Sequence, residues 1–198
     1  MTAKAFLKTK KDYTVEEYLA VEQYHGERYE YYNGKIFPMP GGSIAHNRIC
    51  RNILSALDHI SLETESFEVF GSDQKVYLPK FEYYLYPDAI VVTESVETLE
   101  NDSQAIVNPI LIVEVASPST AKYDREEKFS DYQTLPSFQE YVIVKQDIPI
   151  VFTQFREEPD LWRSNMIEGM DKSVYLRSID VHLPMERIFR KVEFPARK

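Results

Sequence analysis

The sequence predicts an α/β domain in which helices flank a mixed central β-sheet, and three observations carry that prediction. Between Ser43 and about Leu62 the apolar residues Ile49, Ile53, Leu54, Leu57 and Ile60 recur at helical spacing. "DAIVV" (88–92) and "ILIVEVA" (110–116) are continuous apolar runs, as expected of strands covered on both faces. A further helical pattern, "STAKYDREEKFSDYQTLP" (119–136), separates the second run from a strand meander, so one helix crosses the sheet before pairing resumes.

Taken in order, residues 14–24 predict a short amphipathic helix, with Thr14 as N-cap and Glu17 at the capping-box position. "ERYEYYNGKIFPM" predicts two strands joined through Asn33-Gly34, the pair that favours a type I′ hairpin turn. "PGGS" breaks the chain before the long helix from Ser43. "FEVFG" and "SDQKVYL" read as strands, and in the latter Asp73, Lys75 and Tyr77 alternate with Gln74, Val76 and Leu78. Residues 94–108 form a polar connection between the two apolar strands. The crossover helix is ended by Pro136. "SFQEYVIVK", "IPIVFTQF" and "LWRSNMI" then form the meander, and "LPMERIF" a last short helix. No repeat or interdomain linker interrupts this order, which predicts one domain over 1–198 with its core at about 14–190.

At 198 residues the chain is long enough to bury about 70% of its unfolded surface without staples. Its 14 Tyr and 11 Phe suit a sheet-rich fold. The lone cysteine, Cys50, has no internal disulfide partner, the N-terminus lacks a signal-peptide apolar region, and no run has the length of a membrane span. A cytoplasmic location with no membrane partner is the expectation. A net charge of −9 argues against nonspecific nucleic-acid binding through bulk positive charge. Local basic groups stand against it: Lys8, Lys10 and Lys11; Arg48 and Arg51; Lys122, Arg125 and Lys128.

Two acidic residues are placed where carboxylates are costly. Asp88 follows Pro87 at the mouth of one apolar strand, and Leu111, Ile112, Val113 and Val115 surround Glu114 in the next. If the strands are antiparallel neighbours, positions 88 and 114 have their midpoint at 101, inside the polar connection, so direct opposition is feasible. Opposed residues share a face with Cβ atoms about 4.5–5.5 Å apart. Two carboxylates that close call for a cation, and Mg²⁺ suits a site of one or two carboxylates that keeps its waters and reaches toward phosphate. Ordinary turn chemistry at Pro-Asp, and an internal salt bridge at Glu114, remain open alternatives. On the crossover helix Phe129, Tyr132 and Leu135 form an apolar stripe that Lys128 flanks, with Asp124 four residues earlier on the same edge. A lysine there can stabilise charge building on phosphorus, or simply pair with Asp124.

"YPDAIVV", "IVEVASPST", "YDREEKFSDYQ" and "FQEYVIV", together with "ERYEYYNGKI", "HNRI" and "SDQKVYL", resemble the Uma-type endonuclease family of the PD-(D/E)XK nuclease superfamily over about residues 14–190. The resemblance implies a restriction endonuclease-like core and Mg²⁺-dependent hydrolysis of DNA phosphodiesters by a metal-activated water, with Mn²⁺ as a substitute ion. It makes Asp88 and Glu114 metal ligands, completed by the Val115 carbonyl, with Glu30 holding a water or second ion. The superfamily pattern places a lysine two residues after the glutamate, where this chain has Ala116. The Uma-type pattern has it on the following helix, which Lys128 matches, with Lys75 as a less favoured substitute. His46, beside Asn47, matches the family's usual histidine; it either meets a phosphate or satisfies backbone groups at a helix end. Asp73 either faces the site from the neighbouring strand or makes a buried hydrogen bond. Cleavage of both DNA strands implies a homodimer. A nuclease fold without catalysis, serving as a binding or interaction module, is the alternative, and a small phosphoester substrate a third reading. The sequence shows no Cys/His zinc spacing, P-loop or nucleophile elbow.

Overall fold

The computed structural model describes residues 12–39, 41–118 and 123–195. Lys8, Lys10, Lys11 and Lys122, and the first residues of the expected crossover helix, lie outside the described residues. Thr14 caps helix α1 (Val15–His25) through a complete capping box, in which its side chain accepts from the Glu17 backbone and Glu17 accepts from the Thr14 backbone. Strands β1 (Tyr29–Tyr32) and β2 (Lys35–Pro38) form the expected antiparallel hairpin. Asn33 and Gly34 both take positive φ, 45° and 77°, as a type I′ turn requires. Helix α2 (Ile44–Thr64) begins at its N-cap Ser43.

Two mixed six-stranded sheets take the place of one. The first runs β12-β11-β10-β9-β6-β3, from β3 (Glu68–Gly71), β6 (Ala89–Val92), β9 (Leu111–Ala116), β10 (Glu140–Lys145), β11 (Ile150–Glu158) and β12 (Leu161–Glu168). The second runs β2-β1-β5-β4-β8-β7 and adds β4 (Lys75–Leu78), β5 (Tyr83–Leu85), β7 (Thr98–Leu99) and β8 (Asp102–Ile106). The connection at 94–108 is therefore not only a loop: it folds as the β7–β8 hairpin, and β8 pairs parallel with β4. Its polar, half-exposed residues hid a strand pair that is set by its partner rather than by its own pattern. A second hairpin, β13 (Ser173–Leu176) with β14 (Val181–Pro184), precedes the expected last helix, α4 (Met185–Ile188).

Side-chain alternation along the strands divides the interior into three layers. Ala89, Val91, Leu111, Val113 and Val115 face α2 and pack with Ile49, Ile53 and Leu57. Ile90, Val92, Ile112 and Ala116 point the other way, toward Val76, Leu78 and Leu85 of the second sheet, and the crossover segment contributes Tyr132 and Leu135 to that layer. Beyond the second sheet, Tyr29, Tyr31 and Tyr84 pack on Tyr18 of α1. Within the described residues the crossover, which joins β9 to its parallel neighbour β10, holds a π-helical turn (Asp124–Lys128) followed by α3 (Phe129–Tyr132). No described helix is long and apolar enough to cross a membrane.

Candidate active site

Glu114 belongs to the layer between the sheets because it alternates with Val113 and Val115, which face α2. It is buried, and its Oε1 accepts from Lys128 Nζ at 2.9 Å and from the Tyr132 hydroxyl at 3.2 Å. Lys128 Nζ also lies 3.0 Å from Glu30 Oε1. Glu30 reaches it because it alternates with Tyr29 and Tyr31, whose rings face α1. Lys128 thus bridges β9 of one sheet and β1 of the other. The Tyr141 hydroxyl donates to the Asp124 carbonyl at 2.9 Å, fastening the π turn to the sheet, and both Asp124 and Lys128 are buried.

β6 and β9 are antiparallel, with Ala89 opposite Val113. One further step in that register sets Asp88 against Glu114, the opposition expected from their numbering. Asp88 itself sits just outside β6 and caps the strand end. Its Oδ2 accepts the Val115 N–H at 2.7 Å, and His46 Nε2 lies 3.1 Å from Oδ1 and 3.2 Å from Oδ2. The Val115 side chain packs toward α2, and its N–H is the contact the structure gives it at the site.

Burial pushes the Glu114 carboxyl well up; Lys128 opposes this, while Asp124, Asp88 and Glu30 each add to it. Burial pulls the Lys128 ammonium down, but Glu114 and then Glu30 outweigh it, so this lysine stays protonated. Burial, followed by the Glu114 charge, raises the Tyr132 phenol, which stays a donor. At His46, burial lowers the imidazole pKa, yet the Asp88 hydrogen bond and charge, with Asp124, leave it raised.

His46 is not spent on the helix end. Ser43 Oγ accepts the His46 N–H at 3.1 Å, and Asn47 Nδ2 donates to the Gly42 and Ser43 carbonyls, so the imidazole is free to reach Asp88. A Cβ at Gly42 would stand 2.6 Å from His46 Nδ1, which explains glycine there. Asp73 does not join the site: its carboxylate is 97% exposed and pairs with Arg28 at 2.7 Å. It precedes β4 instead of lying in it, so the alternation drawn through it fails. Lys75 faces the α1 side of the second sheet, 2.8 Å from both Glu22 and Asp102, and cannot stand in for Lys128. Cys50 was missed: its Sγ lies 3.5 Å from His46 Nδ1, one helical turn on. The i,i+4 spacing was the available signal.

A mixed sheet whose strand end carries Asp88 and whose next strand carries Glu114, crossed by a helix bearing Lys128, is a restriction endonuclease-like nuclease fold. The solved structure of "a putative nuclease belonging to DUF820" from Anabaena variabilis shares that fold, with a TM-score of 0.67 at 18% identity over 83% of this chain and 90% of that one. The family model described as "Putative restriction endonuclease" (Uma2) matches residues 15–185. This chain belongs to that family. Two Synechocystis relatives carry the names "Uncharacterized protein sll1609" and "Uncharacterized protein slr1290". The first is 38% identical over 138 residues, covering 70% of this chain and 77% of its own. The second is 32% identical over 179 residues, covering 90% and 92%.

Proposed function

We propose that the chain hydrolyses DNA phosphodiester bonds with a divalent cation, Mg²⁺ or its substitute Mn²⁺, held by Asp88 and Glu114. The observation that carries the reading is geometric: the β6–β9 register sets Asp88 against the buried Glu114, and Glu114 and Glu30 both close on the Lys128 ammonium, at 2.9 and 3.0 Å. A hard cation offsets such a set, and oxygen donors are what it takes. When bound, Mg²⁺ supplies Lewis acidity and a nucleophilic water at neutral pH. The Val115 carbonyl and Glu30 are the further oxygen donors proposed for it.

The side chains divide the remaining work. Glu30 and Glu114 hold the Lys128 ammonium from two sheets, which fixes where it meets charge developing on phosphorus. Tyr132 donates to Glu114 and limits its rotation. His46, held against Asp88, is the group proposed to meet a phosphate oxygen or to assist as an acid. DNA as substrate follows from the family's description as restriction endonucleases, and cutting both strands calls for two copies of this single domain. A noncatalytic binding module is the second reading, favoured by Lys128 being engaged by two carboxylates.

Nicking of supercoiled plasmid tests the proposal. The purified chain cleaves with Mg²⁺ or Mn²⁺ and not with EDTA, while Asp88→Asn and Glu114→Gln, prepared in parallel, lose cleavage by at least about a hundredfold. Equal cleavage by all three preparations contradicts it.

A further inference from the structure

We infer that His46, Cys50 and Asp88 form a second metal site, an imidazole–thiolate–carboxylate set for a borderline-soft divalent ion such as Zn²⁺. One ligand atom from each lies within 4.8 Å of the others. The spacings are within a few tenths of an ångström of what such an ion needs about the imidazole. With bonds of about 2.0–2.1 Å to nitrogen, 2.0–2.2 Å to oxygen and 2.3 Å to sulfur, tetrahedral angles separate N from O by about 3.4 Å and N from S by about 3.6 Å. Here His46 Nε2 stands 3.1 and 3.2 Å from the two Asp88 oxygens and 3.9 Å from Cys50 Sγ. Small side-chain adjustments admit the ion.

The ligands are held before any ion arrives. His46 and Cys50 are one turn apart on a helix whose start is fixed by the Ser43 cap, and Asp88 is anchored by the Val115 N–H. All three are half-buried, which shields the set and leaves an approach from solvent. Three protein ligands leave a fourth position open. Sulfur and imidazole distinguish this set from an all-oxygen one: they favour Zn²⁺, Co²⁺ or Cu²⁺ over Mg²⁺. On loading, a metal–sulfur bond would replace the thiol S–H bond and a metal–nitrogen bond the His46 Nε2–H bond, with both protons passing to solvent as His46 gives up its contact with Asp88.

The site stands on its own residues; its effect on cleavage alone rests on the function proposed above. Asp88 belongs to both sets, so an ion bound through Cys50 withdraws it from the Mg²⁺ pair, and micromolar Zn²⁺ inhibits hydrolysis.

Cobalt is the probe. The chain has one cysteine, so any thiolate-to-cobalt charge-transfer band reports Cys50. Titrating Co²⁺ into the EDTA-treated full chain is expected to raise that band to one ion per chain. Even outer-shell changes weaken metal sites by about 10–100-fold, so His46→Ala is expected to weaken binding by at least about a hundredfold. Cys50→Ser abolishes the band, and Glu114→Gln, which removes a ligand of the Mg²⁺ pair only, keeps it. Circular dichroism checks that each variant folds. No band in the wild-type chain, or a band indifferent to both His46→Ala and Asp88→Asn, overturns the site. A normal cobalt titration in a chain that cleaves no DNA instead leaves the site standing and removes the hydrolytic reading.

Discussion

Glu114 is the residue on which stability and proposed function pull apart. Its carboxylate is buried among three others and satisfied by one ammonium and one phenol. Glu114→Gln keeps an oxygen for Lys128 and Tyr132 and leaves Glu30 to balance the ammonium. In EDTA the variant therefore melts no lower than wild type. Mg²⁺ at a hundredfold excess over its Kd stabilises the wild type by about 2.7 kcal/mol, and that gain is absent from the variant. Thermal melts with and without Mg²⁺ read both effects; a Mg²⁺ response that survives in Glu114→Gln contradicts the ligand role. Asp88, Glu114 and Lys128 were legible in the sequence because each breaks a local rule, a charge set in or beside an apolar run. Asp73 obeyed an apparent alternation and was misread, since alternation holds only where the chain is already a strand, and Asp73 lies in the preceding turn. Cys50 broke no rule, being at home on a half-buried helical face, so its i,i+4 spacing from His46 was the one mark it carried.

At the scale of elements, two devices deliver the pocket's charged groups. The π turn carries Asp124 and Lys128 into the interior together, and Pro118 to Pro136 bracket the segment in which it forms. π-Helical turns are rare and recur at functional sites; nothing in the helical pattern of 119–136 separated it from an ordinary α turn. The β1–β2 hairpin delivers Glu30, and its register depends on Asn33-Gly34. Gly34→Ala meets a φ of 77°, and its Cβ stands 3.1 Å from that of Asp12. The substitution costs about 1–2 kcal/mol by urea unfolding. Because it loosens the strand that places Glu30, it also lowers cleavage per folded molecule; unchanged stability contradicts the turn assignment. Hairpin, capped helices and meander were readable because local residues dictate them. β7 and β8 were not, because short polar strands take their structure from the sheet edge they join.

Across the whole molecule, two buried lysines sit on opposite faces of the second sheet. Lys128 lies between the sheets, and Lys75 lies on the α1 side, with Glu22, Asp102 and the rings of Tyr18 and Tyr84. Lys75 anchors α1, since Glu22 also accepts from the Tyr86 hydroxyl and the Tyr29 N–H. Lys75→Met leaves two half-buried carboxylates without their cation and costs about 3 kcal/mol by urea unfolding. Cleavage per folded molecule stays at the wild-type level, whereas a stable Lys75→Met chain that has lost cleavage contradicts this division. The layers that separate the lysines were only partly legible: the apolar runs showed strands buried on both faces but not the second sheet that covers one of them. The cation proposed between Asp88 and Glu114 is open to anomalous diffraction from a crystal soaked in Mn²⁺. A single strong peak in contact with both carboxylates is expected; a fully soaked crystal with no peak against Glu114 rules the shared ion out.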